Sequence, residues 1–406
     1  MDVLKSVRWL VAALAILALG VGVAACGGSS SSSSSGTTSE AAGSTGEESS
    51  ETSEPSESSA SDGVAEAEKL VAAARKPQAF DPPGKPISVS GLKGKTVYDI
   101  TNQLAVAFEK TLTSNTTEAL AKAGIKNVVV QANNEVSQAT KLIEQAVAQN
   151  ADAIIIESFK SDLIAGPLQE AKAAGIPVID LFEGDPALPT PKQVEQGVAA
   201  LATFCYSCAG KLMADWVIAD SGGEGVHGVT YYSDDLGSSL AVNEGQKDEF
   251  ARLCPECKVE YKNVQGSQWT TKIPTLTQSD VANPEVNYFI PNFDGMATFM
   301  VPAINAAGAT ERVKLASFNA NLPFMEEMQN GGVIKSDVGS PVAWMGWAVA
   351  DQTMRVMNGE EPLEDVGIPL RMFDESNIGE IDLSEPESAW YGVDFASEYE
   401  KLWGLK

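Results

Sequence analysis

Apolar and polar positions follow two alternating periods along residues 94–181. Short apolar runs predict strands at residues 96–100, 126–131, 151–158 and 176–181. Between them, apolar residues recur at helical spacing and predict helices in a stretch ending at residue 124, at 135–149 and at 162–174. Strands that alternate with helices of about 10–15 residues are typical of βαβ units and a parallel sheet.

The same alternation continues through the second half of the chain. Further strands are predicted at residues 228–233, 258–264, 287–291 and 312–318, and further helices at 209–220, 240–253, 271–280, 295–307 and 344–357. No periodic sequence repeat accompanies the pattern. Two successive α/β halves of similar length predict an α/β protein with two Rossmann-like lobes, each built on a parallel sheet.

The first 25 residues differ from the rest of the chain. Lys5 and Arg8 precede an apolar run at residues 9–25, which is 17 residues long and therefore at the short limit for a membrane span of about 17–25 residues. A basic start, an apolar run and small residues at its end indicate a secretory signal peptide. The ending Val23-Ala24-Ala25-Cys26 resembles the lipobox of bacterial lipoproteins, which implies cleavage before Cys26, lipidation of that residue and an extracytoplasmic location at the cell membrane or in the periplasm.

The segment that follows Cys26 is low in complexity. Residues 27–62 contain 16 Ser, seven acidic residues and no Lys or Arg. Such a composition does not fold on its own and predicts a disordered tether over residues 26–62. Its root-mean-square reach is roughly 30–36 Å. Residues 63–93 are predicted to form a short amphipathic helix at 64–75 and a Pro-rich lead-in to the folded part.

Composition excludes several classes of function. With 28 Lys+Arg against 55 Asp+Glu, the net charge of −27 argues against nucleic acid or an anionic lipid surface as the main partner. One histidine, His227, and five cysteines leave little for a zinc or haem centre, so we expect no metal and no cofactor. The motif G-x-G-x-x-G at residues 223–228 precedes a strand, whereas the dinucleotide fingerprint follows one.

The cysteines other than Cys26 form two C-x-x-C pairs, Cys205/Cys208 and Cys254/Cys257. Export favours disulfides over free thiols. The pairs flank opposite ends of a lobe, about 20 Å apart along a helix of about 14 residues, which excludes a shared zinc site or a bridge between the pairs. We therefore predict two local disulfides. A structural role is favoured over a redox role because reactive C-x-x-C motifs begin a helix, whereas the second pair ends one.

Polar and aromatic residues follow six of the predicted strands, at positions 101–103, 158–159, 182–183, 233–235, 292–294 and 319–321. In open α/β sheets, ligands bind outside the carboxyl ends of the strands. Amide, carboxylate and aromatic groups together suit a neutral ligand with many hydroxyl groups. Each residue taken alone fits an Asx turn or a helix cap equally well.

Several runs, at residues 134–158, 171–181, 287–309 and 313–321, resemble the type I periplasmic sugar-binding proteins of ABC transporters, the ribose-binding-like family. The resemblance covers about residues 94–359. It implies two lobes joined by a three-crossing hinge that closes on a ligand, which a membrane permease then collects. By this likeness, lobe 1 comprises residues 94–203 and about 341–362, and lobe 2 comprises residues 204–340 and about 363–406.

The likeness also suggests where ligand contacts lie. Asn102 falls where the family supplies an amide, and Trp269 falls where ribose-type members stack an aromatic ring on the sugar. Asp294 belongs to an Asn-Asp pair in which Phe293 replaces the Asn, and Asn319 takes a position usually filled by Asp. These matches imply a pocket related to that of the family but altered in its chemistry.

Two arginines of ribose-type members are missing. Phe182 and Glu183 stand in place of an Asp-Arg pair, and Val242 and Asn243 stand where the second arginine is expected. These changes imply a pocket that is more aromatic and less cationic, which disfavours an anionic ligand because such a ligand calls for an arginine fork. A larger sugar, a polyol or a non-sugar amphipathic molecule fits these residues.

Two tryptophans lie three residues apart in the last long helix. We expect Trp347 to pack in the core and Trp344, nearer the helix start, to face the cleft. The complete set of predicted ligand-binding residues is Asn102, Gln103, Phe159, Phe182, Glu183, Asp234, Asn243, Trp269, Phe293, Asp294, Asn319 and Trp344.

The sequence thus predicts a lipid-anchored, non-enzymatic solute-binding protein, monomeric, that captures a small sugar-like ligand for the permease subunits of an ABC importer. One alternative is a sensor of the same fold that presents its ligand to a signalling partner. A second is an exported glycoside hydrolase that uses two acids of the cleft, such as Glu183 and Asp294, with carboxyls about 5–10 Å apart.

Overall fold

The described part of the chain comprises residues 57–105, 107–187 and 196–406 of a computed structural model. The predicted signal peptide, Cys26 and residues 27–56 of the predicted tether lie outside it. No helix in the described part has the length and apolar character needed to cross a lipid bilayer.

Lobe 1 is built on a parallel sheet with the strand order β2-β1-β3-β4-β5. Its strands are β1 (Thr96–Thr101), β2 (Lys126–Gln131), β3 (Ala153–Glu157), β4 (Val178–Leu181) and β5 (Ala200–Ala202). The helices before and between these strands are α1 (Glu57–Ala74), α2 (Ala107–Lys122), α3 (Val136–Ala148) and α4 (Ala165–Ala173). Every residue of β3 is buried, as expected for a central strand covered by helices on both faces.

Lobe 2 is built on a six-stranded sheet with the order β11-β10-β9-β8-β6-β7, in which β11 alone runs antiparallel to its neighbour. The strands are β6 (His227–Tyr232), β7 (Lys258–Asn263), β8 (Tyr288–Phe289), β9 (Lys314–Asn319), β10 (Ile334–Gly339) and β11 (Arg371–Asp374). The helices that follow β5 along the chain are α5 (Tyr206–Ser221), α6 (Gly237–Leu253), α7 (Trp269–Val281), α8 (Asp294–Ala306), α9 (Leu322–Gln329), α10 (Val342–Met357), α11 (Glu387–Tyr391) and α12 (Phe395–Leu402).

The two sheets confirm the predicted α/β architecture with two lobes. The chain passes between the sheets at residues 203–205, 340–341 and 358–370. The last two passages arise because α10 packs on α2 and β5 of lobe 1, although in sequence it lies between β10 and β11 of lobe 2. The Gln352 side chain on α10 connects β5 of lobe 1 to the last of these passages. Its Nε2 donates to the carbonyls of Leu201 and Leu363, each at 2.9 Å.

Both ends of the described chain wrap around this hinge. Helix α1 packs on α5 of lobe 2, and Arg75 just beyond it pairs with Asp374 on β11 before the chain crosses to lobe 1. At the other end, α12 packs on α10, where Trp403 stacks on Trp347 with ring centroids 5.6 Å apart. The terminal segments therefore add two further connections between the lobes.

These packings differ from the expected boundaries in two places. Residues 57–62, expected in the tether, form the first turns of α1. Helix α12, expected in lobe 2 with the rest of residues 363–406, lies on lobe 1 because its aromatic side chains are buried against α10.

The structure confirms both predicted disulfides. Cys205 is bonded to Cys208, and Cys254 to Cys257. Cys205 caps the start of α5 beside the first passage between the lobes, and Cys254 directly follows α6. Each bridge therefore closes a turn at a helix end.

Candidate functional site

A cavity of about 630 Å³ lies at the carboxyl ends of both sheets. Residues that follow β1, β3, β4 and β5 line it on lobe 1, and residues that follow β6 to β9 line it on lobe 2. The lining consists of Asn102, Ala107, Phe108, Glu109, Glu157, Ser158, Phe182, Phe204, Tyr206, Leu236, Ser238, Trp269, Phe293, Gly295, Thr298, Asn319, Asn321, Pro323 and Phe324.

Backbone strain is concentrated at three of these strand ends. Ser158 has φ 55°, Phe182 has φ 70° and Asn319 has φ 130°. Positive φ is uncommon for residues other than Gly and is an outlier for a bulky aromatic side chain. Such conformations cost about 1–3 kcal/mol each and persist where the surrounding structure enforces them, most often at functional sites.

An aromatic chain runs from lobe 1 to lobe 2 along the first passage between them. Phe108 lies 5.4 Å from Phe182, which stacks on Phe204 at 5.5 Å. Phe204 then meets Tyr206 at 6.2 Å, as centroid distances. Aromatic pairs at such separations contribute about 0.5–1.5 kcal/mol beyond the area they bury. This row of four aromatic rings thus connects the two lobes and gives the cavity an apolar wall.

On lobe 2, Trp269 at the start of α7 is fixed in orientation. Its Nε1 donates to Ser233 Oγ at 2.8 Å and to the Val264 carbonyl at 3.0 Å. A Cβ on Gly295 would lie 3.2 Å from the indole ring, so the glycine at the start of α8 leaves room for it. The indole is therefore held at the cavity wall rather than free to rotate.

On lobe 1, Glu157 at the end of β3 is 3 % exposed. Burial raises the pKa of Glu157 to about 8, and the nearby carboxyls of Glu109 and Asp99 also raise it. The hydrogen bond that Thr101 donates to this carboxylate acts in the opposite direction and lowers the pKa. Burial likewise raises the pKa of Glu109. None of the described residues that line the cavity is Lys, Arg or His.

Five of the twelve predicted ligand-binding residues line the cavity. They come from both lobes and are Asn102, Phe182, Trp269, Phe293 and Asn319. The structure thus brings together residues that are separated by more than 200 positions in the sequence, at the sheet edges where they were expected.

Two predicted residues belong to the core instead. Phe159 is 5 % exposed and packs with the apolar residues of lobe 1. Trp344 is 1 % exposed and stacks on Phe395 and Phe80, with centroids at 5.3 and 5.9 Å. The expectation that Trp344 faces the cleft is corrected, because the two terminal segments cover it.

Asp294 and Asn243 are buried and lie outside the cavity lining. Asp294 is fully buried and accepts hydrogen bonds from Ser317 Oγ at 2.5 Å and from the backbone N–H of Asn321 at 2.8 Å. It therefore positions Asn321, which lines the cavity. Asn243 is 2 % exposed on α6, which packs closely on α5: a Cβ on Gly210 would lie 2.0 Å from the Val242 carbonyl.

Gln103, Glu183 and Asp234 lie outside the lining as well. Gln103 is half-buried beside Asn102, and Asp234 is exposed, with its backbone N–H donating to Asn263 Oδ1 at 3.1 Å. Glu183 reaches toward lobe 2, since its Oε2 lies 3.8 Å from where a Cβ would stand on Gly237.

Several lining residues were not among the predicted ones. Glu157 is the last residue of an otherwise apolar strand, and a carboxylate at that position was the available signal. Phe204 and Tyr206 lie directly after the predicted boundary between the lobes at residues 203 and 204, so their position could have been predicted. Phe108 and Glu109 lie on α2, which begins several residues after the end of β1, so they were not among the residues that directly follow a strand.

Two α/β lobes enclose a cavity at their strand ends, and its lining combines aromatic rings with amide and carboxyl groups. This arrangement is typical of solute-binding proteins. A profile of the periplasmic binding protein domain matches residues 100–361. The chain belongs to this family, in its type I form, which supplies the solute-binding component of ABC sugar importers.

Individual relatives agree with this assignment. The ribose import binding protein of Bacillus subtilis is 21 % identical over 301 residues, which cover 72 % of this chain and 92 % of that protein. The crystal structure of a periplasmic ribose ABC transporter protein from Conexibacter woesei has a TM-score of 0.62 at 17 % identity, covering 76 % of this chain and all of that one.

A third relative carries a ligand. The structure of a periplasmic solute-binding protein from Actinobacillus succinogenes with bound D-allose has a TM-score of 0.61 at 19 % identity, covering 71 % of this chain and all of that one. The family binds solutes and is not enzymatic, which overturns the glycoside hydrolase alternative. The burial of Asp294 agrees, since it removes one member of the proposed acid pair from the cavity.

The raised pKa of Glu157 gives a test by stability. In the folded chain this carboxyl keeps its proton up to about pH 8, whereas in the unfolded chain it releases the proton near its usual pKa of 4.5. Between these two pH values the folded state binds more protons than the unfolded state, so the free energy of unfolding falls as pH rises. We expect Glu157→Gln to remove this loss, so that the variant gains a few kcal/mol relative to wild type between about pH 5 and pH 8. Urea titrations at several pH values measure the difference.

The matched control is Glu144→Gln, which makes the same change at an exposed position on α3 of the same lobe. Its difference from wild type should stay constant with pH. A pH-independent difference for Glu157→Gln would show that this carboxyl titrates normally.

Proposed function

We propose that this chain is the lipid-anchored, extracytoplasmic solute-binding protein of an ABC importer, and that it captures a small polyhydroxylated or amphipathic ligand between its lobes. The observation that carries the proposal is the cavity between the strand ends of both sheets. Its volume of about 630 Å³ falls within the range of about 300–1,000 Å³ typical of small-molecule sites.

The lining favours a ligand with both ring faces and hydroxyl groups. Trp269, Phe182 and Phe293 offer aromatic faces, while Asn102 and Asn319 offer amide groups that both donate and accept hydrogen bonds. Relatives named for ribose, xylitol and D-apiose, and solved structures with bound D-allose and myo-inositol, support the same ligand class.

Closure of the lobes around the ligand is part of the proposal. Leu104 on lobe 1 is 36 % exposed, and Leu236 and Leu322 on lobe 2 are 36 % and 41 % exposed, each beside a residue at the carboxyl edge of its sheet. Hinge motion that brought these side chains together would remove apolar surface from water and favour the closed, ligand-bound state. The permease subunits would then receive the ligand from the closed form.

Binding is tested by a thermal-shift screen of the mature protein against sugars, polyols, nucleosides and amino acids. A ligand at 100 times its Kd stabilises the native state by about 2.7 kcal/mol, which such a screen detects. For the compound that binds, Trp269→Ala should raise Kd about 10- to 100-fold, because it removes a fixed aromatic wall.

Tyr261→Ala is the matched control, since it truncates an aromatic residue of lobe 2 outside the cavity lining, and it should leave Kd within about twofold. A compound class that binds and is recovered unchanged supports the proposal. Failure of every class to bind, or consumption of the compound, would contradict it.

The lipid anchor is tested separately at Cys26. Expressed in a bacterium that processes lipoproteins, the wild-type chain should fractionate with the membrane and incorporate labelled fatty acid. Cys26→Ser should abolish both, because the lipidated thiol is lost. A Cys26→Ser chain that still fractionates with the membrane would show that another segment holds it there.

A further inference from the structure

The wall of the cavity on lobe 1 presents hydrogen-bond acceptors that have no donors. Asn102 is 9 % exposed and its Oδ1 has no hydrogen-bond partner, while its Nδ2 donates to the Glu157 carbonyl at 3.3 Å. Glu109 Oε2 is likewise buried without a partner. Buried polar atoms are normally paired, so these acceptors call for donors from the ligand.

The same wall holds several carboxyl groups with no cation facing them among the described residues. The groups that face the Glu157 carboxyl are the carboxyls of Asp99 on β1 and Glu109 on α2 and the hydroxyl of Tyr206 on α5, whose pKa burial raises so that it stays neutral. Lys110 and Lys160, the nearest cations along the chain, are exposed. A buried carboxylate is costly unless it is paired, and closure over a neutral ligand would bury this cluster further.

Aromatic rings line the same cavity as these acceptors. Phe108 and Phe182 from lobe 1 lie 5.4 Å apart, and Phe204 and Tyr206 continue the wall toward lobe 2. The faces of such rings attract cations, and the effect is strongest where water is excluded. Acceptors, acids and ring faces on one wall therefore favour the same kind of ligand group.

We propose that the ligand carries a protonated primary amine next to its hydroxyl groups, as in an amino sugar or amino polyol, and that the ammonium sits against Glu157, Glu109 and Asn102. An ammonium offers three donors and no acceptor, which matches the unpaired Asn102 Oδ1 and Glu109 Oε2 together with the Glu157 carboxylate once it ionises. This inference rests on the proposed function and narrows its ligand class.

The proposal has a proton-linked consequence. In the empty cavity, the raised pKa of Glu157, about 8, keeps much of this carboxyl protonated at pH 7. An ammonium beside it favours the ionised form, so binding should release a proton to the buffer. A neutral polyol supplies no charge that would drive this release.

Isothermal titration calorimetry of the mature protein with matched compounds tests the inference. The pairs are glucosamine with N-acetylglucosamine and with glucose, and 1-amino-1-deoxy-glucitol with glucitol, each at pH 7 in two buffers of different ionisation enthalpy. We expect the amine to bind at least tenfold more tightly than its neutral partners, with proton release for the amine alone.

Variants locate the effect. Glu157→Gln and Glu109→Gln should each reduce the advantage of the amine over its neutral partners to below about threefold. Glu144→Gln, which makes the same substitution at an exposed position on lobe 1, should leave the advantage unchanged.

The outcomes separate this inference from the function on which it rests. Neutral partners that bind as tightly as the amines would overturn the inference and leave the solute-binding proposal standing. If both variants, at Glu157 and at Glu109, still bind the amine more tightly than its neutral partners, the proposed position of the ammonium is wrong. Binding of none of these compounds, nor of any in the wider screen, would overturn both proposals.

Discussion

Parallel strands leave their carboxyl ends on one edge of a sheet, and the two lobes of this chain present those edges to the same cavity. The arrangement depends on the passage at residues 203–205, where Phe204 and Tyr206 continue an aromatic chain from one lobe to the other. Residues far apart in sequence, such as Asn102 and Asn319, meet in one cavity for this reason. Positive φ at Ser158, Phe182 and Asn319 marks where the chain is held away from its preferred conformation to do so.

Acidic residues near the hinge are paired with arginines, whereas those that the structure describes at the cavity are not. Near the hinge, Arg355 pairs with Asp351 at 2.7 Å, and Arg75 pairs with Asp374. Arg371 donates to the Trp390 carbonyl. These arginines hold the terminal segments in place, while Glu157 and Glu109 in the cavity have no basic residue facing them among the described groups. The ion pairs near the hinge are thus separate from the unpaired carboxyls of the cavity.

Much of the fold could be predicted from sequence because long helices and fully buried strands leave a clear period. The run at residues 151–158 indicated a central strand, and β3 occupies residues 153–157. Strands β5 and β11 have only three and four residues, too few to show a period. Strand β10 alternates apolar and polar residues only weakly and was not predicted.

The site was predictable as a set of strand ends but not as a set of side chains. Asn102 and Trp269 line the cavity as expected, whereas Trp344 does not, because Phe80 and Phe395 from the two ends of the chain cover it. Nothing local to Trp344 encodes that coverage. Asp294 was singled out as a ligand contact but acts through Asn321, a role that depends on the turn after β9.

The central claim is that one ligand is held by strand-end residues of both lobes. A crystal structure of the mature protein with the tightest ligand of the screen tests it most directly. The account predicts the ligand in the cavity, in contact with Asn102 or Phe182 on lobe 1 and with Trp269 or Asn319 on lobe 2. A ligand bound outside the cavity, or in contact with one lobe alone, would contradict it.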